Sequence, residues 1–128
     1  TAAFIDSGAQ YSIGNTALQQ SVTARRNEGG RLARAVPLYG VTGQSLSADL
    51  ARVSDLRFGA SRLGPTPLLF ADLHCFQTLE LADSPALLIG ADLLGRFRHV
   101  VLDFPNGTVT FNGLRRQTTR TIEDELRR

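Results

Sequence analysis

The sequence has 128 residues, a formal net charge of +2 and hydrophobic residues at 42% of its positions, as is ordinary for one globular domain. All of its basic residues are Arg, and they are scattered until the C-terminus, so the charge does not indicate a nucleic-acid partner. No apolar run is as long as a membrane span, so membrane tethering would require a segment outside this sequence.

Cysteine and histidine are too few to predict a metal site or a cofactor. The single Cys75 cannot form an internal disulfide, and no Cys/His cluster has metal-ligand spacing. A chain without disulfides suits either redox environment, so the compartment is left open. Because the chain begins at the edge of a predicted strand with no signal sequence, we expect a missing first strand and a domain cut from a longer, membrane-anchored or periplasmic protein.

The first element is an apolar strand that ends in a carboxylate. Residues 3–5 are apolar, Asp6 follows, and Ser7, Gly8 and Ala9 form a turn. A carboxylate next to a buried strand costs free energy unless it is paired or protonated. Such a position favours a chemical role for Asp6 over a structural one.

A helix and a loop are predicted next. Asn15 or Thr16 can cap a short helix that runs through Ala24, with good helix formers in its first turn. The polar stretch from Arg25 to Arg34 contains two glycines, which predicts an exposed loop.

From residue 35 onward, strands predominate. Alternating apolar residues on both sides of Tyr39–Gln44 predict a β-hairpin with a long and bulged second arm. Further strands are predicted at Leu68–Phe76 and Ala86–Ile89, and a helix of about two turns at Ala91–Phe97. The Asn-Gly pair in Pro105-Asn106-Gly107 predicts a second hairpin. The pattern therefore indicates an all-β domain over residues 1–113 with two short helices, followed by a charged tail over 114–128.

Two motifs and their spacing resemble the retropepsin-like aspartic peptidases, in their bacterial or cellular form. Asp6-Ser7-Gly8-Ala9 is similar to the family's Asp-Thr/Ser-Gly-Ala motif, and 39–44 to the tip of its flap hairpin. Pro85 to Gly90, followed by a short helix, is similar to the family's later apolar-apolar-Gly strand. The resemblance covers roughly residues 3 to 98, and the joint pattern is more specific than any one motif.

The resemblance implies a closed β-barrel that forms half of an acid protease, with a flap hairpin. It also implies a homodimeric endopeptidase that acts on extended peptide or protein segments, because each chain holds one Asp motif and the chemistry needs two carboxylates. Asp6 would be catalytic, in an active-site loop completed by Ser7, Gly8 and Ala9. The implied substrate-binding residues are Phe4, Gln10, Tyr39, Gly40, Val41, Thr42, Gly43, Ala86 and Leu88.

The sequence departs from the viral members in three places. Gln10 stands where they carry a second aspartate, and Ala91 where an arginine follows the glycine. Asp92 comes next, as in the Gly-x-Asp form of bacterial and cellular members. The N-terminal strand that interlocks viral dimers is also lacking.

Other interpretations of these residues stay open. Asp6 before Ser-Gly is also a common turn signal, and the domain could be a catalytically silent peptide-binding or dimerisation module. Ser7 has no His near it in sequence, and we expect His74 and His99 to be surface or strand residues. We expect Cys75 to be an inert buried thiol. Asp103 is expected to face solvent, Asp92 to be a structural acid bonded to backbone, and the Arg-rich tail to be solvated.

Overall fold

The computed structural model describes residues 1–26, 31–39, 45–54 and 56–115. About half of the chain is strand, and the helices are short, so the all-β prediction is confirmed at this level. The strands are β1 (Ala2–Ile5), β2 (Ile13–Gly14), β3 (Arg31–Tyr39), β4 (Ser45–Val53), β5 (Leu56–Phe58), β6 (Ser61–Leu63), β7 (Thr66–Phe70), β8 (Ala86–Ile89), β9 (Phe97–Asp103) and β10 (Thr108–Leu114). The helices are α1 (Thr16–Arg26), α2 (His74–Thr78) and α3 (Ala91–Leu94).

A six-stranded mixed sheet forms the body of the molecule, in the order β1-β8-β2-β7-β4-β3. The pairs β1–β8 and β2–β7 are parallel, and the other neighbours are antiparallel. β1 and β3 lie at opposite edges, and β5–β6 and β9–β10 form separate two-stranded sheets. The predicted closure into a barrel is therefore not seen among the described residues, because their edge strands do not pair with each other.

The central strands β7 and β8 are buried along their whole length. Side chains of these strands alternate between two faces. Leu68, Phe70, Leu87 and Ile89 belong to the main core with α1, α3 and Phe97. Leu69 packs in a second cluster, and Ala86 and Leu88 pack in a third, on the side of the sheet where α2 lies.

The predicted helix cap is confirmed, but the predicted loop after the helix is wrong at both ends. Asn15 Oδ1 accepts the Leu18 amide at 2.9 Å, and α1 continues to Arg26 because Arg is a good helix former. β3 then begins at Arg31. Backbone pairing with β4 carries the polar stretch into the sheet, which composition alone does not reveal.

The hairpin formed by β3 and β4 is confirmed, but its irregularity lies in the other arm. Between Arg31 and Val36 the register shifts twice, and in each case the extra residue is in β3. Ala35 has a φ of 51°, which accompanies the second shift. Of the tip that we predicted to be a flap, at 39–44, residues 40–44 lie outside the described residues.

The predicted strand Leu68–Phe76 is two elements. β7 ends at Phe70, the Ala71 amide donates to the Gly14 carbonyl, and α2 begins at His74. An apolar run of this length does not distinguish strand from helix by periodicity, which explains the error. α3 is also shorter than predicted, since β9 begins at Phe97. The second hairpin is confirmed, with Gly107 at φ 61° in its turn.

Candidate active site

Two neighbouring parallel strands end at the same edge of the sheet, which brings the Asp6-Ser7-Gly8-Ala9 motif beside Gly90. β1 and β8 run parallel, with Ile5 opposite Ile89, so Asp6 and Gly90 are adjacent. The Asp6 amide donates to the Ile89 carbonyl at 2.9 Å, which continues the ladder one residue beyond β1. A backbone hydrogen bond therefore holds Asp6 to the end of β8.

Asp6 is exposed, and its carboxylate takes part in a tight turn. Oδ1 accepts the Gly8 amide at 3.0 Å, and the Asp6 carbonyl accepts the Ala9 amide at 3.1 Å. Ser7 is also exposed. A Cβ added to Gly8 would lie 3.4 Å from Asp6 Oδ1, an ordinary contact, so no neighbour among the described residues requires glycine there.

The rest of the loop crosses over the start of α3. The Ala91 amide donates to the Ala9 carbonyl at 2.8 Å, and the Asp92 amide donates to the Gln10 carbonyl at 3.2 Å. A Cβ at Gly90 would lie 2.7 Å from the Tyr11 carbonyl oxygen and 2.8 Å from that of Ala9. Glycine is thus required at position 90 because two backbone segments approach too closely for a side chain.

Asp92 and Ser12 form a hydrogen-bond network beneath this crossing. Asp92 Oδ1 accepts the Ser12 hydroxyl at 2.6 Å, the Ser12 amide at 2.9 Å and the Leu93 amide at 2.8 Å. Burial raises the pKa of the Asp92 carboxyl, and the hydrogen bonds from Ser12 and Leu93 oppose that rise. The expectation that Asp92 is a structural acid bonded to backbone is confirmed.

Apolar side chains that the sequence predicted for substrate binding lie together beside Asp6. Phe4 and Ala9 pack against the buried Ala86 and Leu88 in one cluster. The Phe4 ring meets the ring of Phe76 edge-on, with centroids 5.8 Å apart. Because α2 was predicted as a strand, its contribution to the cluster was not predicted. The members from α2 and its flanks are Leu73, Cys75, Phe76 and Leu81.

Cys75 is the thiol of this cluster, and it is partly buried. Burial raises the pKa of the Cys75 thiol, and the negative charge of Asp6 raises it further. A thiol with a raised pKa is mostly protonated at neutral pH and is a poor nucleophile. This agrees with the prediction of an inert cysteine, although it lies in a helix and not in a strand.

Of the other predicted site residues, the structure describes Gln10 and Tyr39. Gln10 is exposed, and its amide nitrogen donates to the Tyr11 hydroxyl at 3.3 Å. Tyr39 is 77% exposed at the end of β3. Residues 40–43, which were predicted to bind substrate, lie outside the described residues.

The remaining candidate groups do not join the site. His74 and His99 are exposed, as expected, and Asp103 accepts bonds from Asn106 in the β9–β10 turn. No cluster of His, Cys, Asp and Glu suited to a metal ion occurs in the described part of the chain. None of the described helices is long and apolar enough to cross a membrane.

The sequence gives no significant match to a protein-family profile or to a curated protein.

Proposed function

We propose that this chain is one half of a homodimeric, retropepsin-like aspartic endopeptidase. The observation that carries the proposal is the Asp6 carboxylate, exposed on a loop that is fixed to the end of β8 and flanked by an apolar cluster. An exposed acid on a rigid support, next to apolar side chains, suits a catalytic group better than a stabilising one. Asp6 is the catalytic residue of this proposal.

The chemistry requires a second carboxylate, which the two-fold mate of Asp6 would supply. Two carboxyl groups in close contact share one proton, since both cannot ionise together. The ionised group removes a proton from a water molecule as the water oxygen attacks the peptide carbonyl carbon. The protonated group donates to the carbonyl oxygen, where charge develops. The tetrahedral intermediate then collapses: the leaving nitrogen takes the proton that the first carboxylate removed from water, a hydroxyl of the intermediate returns its proton to the second carboxylate, and the C–N bond breaks.

Neighbouring residues have distinct roles in this proposal. Gly8, which no contact within the described part of the chain requires to be glycine, would allow the two loops to approach each other across the dimer axis. The Ser7 hydroxyl would brace the paired loops. Side chains of an extended peptide would contact the apolar cluster through the partly buried Phe4 and Ala9, which pack against the buried Ala86 and Leu88, while Gln10 and the 39–43 segment would contact its backbone.

The hairpin formed by β9 and β10 offers a surface for the second copy. It exposes large apolar side chains, among them Val101, Leu102, Phe104 and Val109, and Phe104 is 84% exposed. A two-stranded sheet is marginally stable alone, and concentrated apolar exposure is typical of interaction surfaces. The β9–β10 hairpin therefore supports the proposal of a homodimer.

Cleavage of a denatured protein tests the enzymatic proposal. The rate should fall as pH rises through the upper of the two pKa values of the dyad, because the shared proton is then lost. A peptide mimic with a central hydroxyl should inhibit, since it resembles the tetrahedral intermediate. An absence of cleavage at every pH, in a folded dimer, would favour the silent peptide-binding module.

Dimerisation is tested by dilution. Specific activity should rise with protein concentration until the dimer is saturated. Phe104→Ser should move this rise to higher concentration, and Leu79→Ser, which changes another exposed apolar residue, should not. Activity that is strictly proportional to concentration in a protein that sediments as a monomer would contradict the proposal.

A further inference from the structure

The Asp6 loop is held to α3 by a polar contact that lies out of reach of the substrate. Ser12 is fully buried, with an exposed fraction of 0%. Its hydroxyl donates to Asp92 Oδ1 at 2.6 Å and accepts the Gly90 amide at 2.9 Å. One hydroxyl thus joins the end of the loop both to Gly90, which directly follows β8, and to the first turn of α3.

From this geometry we infer that Ser12 and Asp92 are positioning residues for the proposed reaction, acting as a clamp that sets the position of the Asp6 carboxylate. The inference rests on the proposed function. Ser12 and Asp92 touch neither the reacting atoms nor the peptide, and they act only through the loop between Asp6 and Ser12.

The clamp combines with the backbone bonds described above. Ala9 and Gln10 accept amides from α3, and the Ser12 amide donates to Asp92, so both ends of the segment 9–12 are bound to the same turn. Without the Ser12 hydroxyl, the buried Gly90 amide loses its acceptor, which costs free energy unless the backbone moves. A movement of the loop would displace Asp6. In the proposed dimer, both Asp6 carboxylates would be displaced.

The structure also shows why one oxygen of Asp92 matters more than its charge. Oδ1 accepts three hydrogen bonds, and Oδ2 accepts none from the described residues. An Asn side chain can present its carbonyl oxygen in the same position. Asp92→Asn should therefore keep the clamp, whereas Ser12→Ala should break it.

The experiment compares Ser12→Ala with Thr66→Val in the full chain. Thr66 is also buried, and its hydroxyl donates to the Gly64 carbonyl at 2.8 Å instead of to the Asp6 loop. We expect Ser12→Ala to lower kcat by about 10-fold or more with KM changed by less than about 3-fold, because misplaced groups slow the chemical step. Thr66→Val should leave kcat within about 2-fold of wild type, and Asp92→Asn should do the same.

Hydrogen exchange gives a readout that does not depend on activity. The amides of Ala9 and Ala91 should lose protection in Ser12→Ala and keep it in Thr66→Val. If Ser12→Ala does not fold, Asp92→Ala removes the shared acceptor while leaving the Ser12 hydroxyl to accept the Gly90 amide.

The outcomes separate the two proposals. A wild-type protein without peptidase activity would contradict the proposed function, and hydrogen exchange would still show whether the clamp holds the loop. Unchanged kcat in a folded Ser12→Ala, or an equal loss in Thr66→Val, would overturn the assignment of Ser12 and Asp92 as positioning residues.

Discussion

Asp6 and Asp92 are two carboxylates that follow neighbouring parallel strands at the same end of the sheet, yet their surroundings are opposite. Asp92 is largely buried and gives one oxygen to three hydrogen bonds, which come from Ser12 and Leu93. Asp6 is exposed, and its side-chain carboxylate accepts one hydrogen bond from the described residues, from the Gly8 amide. Asp92 holds two segments of the chain together, whereas the Asp6 carboxylate has lone pairs left for other partners.

Under the proposed function, this difference separates a supporting acid from a reacting one. A satisfied buried acid rigidifies the segments that it joins, because each of its bonds restricts a backbone position. An acid that reacts must instead stay accessible on a backbone that does not move. The loop between Asp6 and Ser12 meets both requirements by leaving the sheet at Asp6 and returning to a buried anchor.

The largest expected effect comes from Asp6→Asn. A positioned acid or base contributes on the order of 100- to 10,000-fold, and the change removes both members of a two-fold pair. We expect the cleavage rate to fall by about 1,000-fold or more. The fold should be retained, since the side chain is exposed and an amide oxygen can still accept the Gly8 amide.

Asp83→Asn is the matched control for this variant, because Asp83 is also an exposed aspartate and lies in the loop before β8. It should cleave at the wild-type rate. Cleavage that survives in a folded, contaminant-free Asp6→Asn sample would exclude the aspartic mechanism, and would leave the contrast between Asp6 and Asp92 without functional meaning.

A smaller effect is expected from Gly90→Ala, which strains the crossing between the loop and α3. The added Cβ would lie 2.7 Å from the Tyr11 carbonyl oxygen, and backbone cannot move aside as a flexible side chain can. Overpacking of this kind costs about 1–3 kcal/mol, and we expect the upper part of that range in the free energy of unfolding. Denaturant titration measures it.

Gly64→Ala provides the comparison for Gly90→Ala, since no atom of the described residues lies within 4 Å of a Cβ added at Gly64. Its unfolding free energy should change by less than about 0.5 kcal/mol. Equal stability of the two variants would show that the loop and α3 are not held as closely as the structure places them.

The smallest effect concerns the charge of Asp92. Burial raises the pKa of this carboxyl above its ordinary value of 3.8, so the folded chain binds the proton more tightly than the unfolded chain does. The contribution of Asp92 to wild-type stability should therefore decrease as pH rises from 3.8 through the raised pKa, and then stay level. Asp92→Asn does not titrate at this position, so its stability relative to wild type should rise as pH increases across that window.

Unfolding at a series of pH values tests this sign. A gain for Asp92→Asn that is larger in acid than at neutral pH would mean that the hydrogen bonds to the charged form outweigh its burial. Asp92 would then be a stabilising charge, and its contrast with Asp6 would be one of accessibility alone.

Several parts of the site could be predicted because they depend on short-range patterns. An apolar run closed by Asp6-Ser7-Gly8 predicted a strand and turn, Asn15 predicted the cap of α1, and Asn106-Gly107 predicted the β9–β10 hairpin. These signals reside in the backbone preferences of a few adjacent residues. The structure contains each of them at the predicted place.

Other parts could not be predicted, because they depend on residues far apart in sequence. Leu68–Phe76 is mostly apolar, interrupted by Asp72 and His74. Its division between β7 and α2 follows from where the ladder with β2 ends. Ser12 and Asp92 are 80 residues apart, and neither residue alone signals a clamp.

The sequence by itself determined that strands predominate, that a carboxylate follows the first strand, and that one such motif exists in the chain, because periodicity and turn chemistry are local properties. The tertiary structure alone decided that β1 lies parallel to β8, that Phe4 and Leu88 share a cluster, and that Ser12 reaches both Gly90 and Asp92. Strand order and burial arise from packing the whole chain at once, and a buried hydrogen bond forms only where that packing brings a donor and an acceptor together.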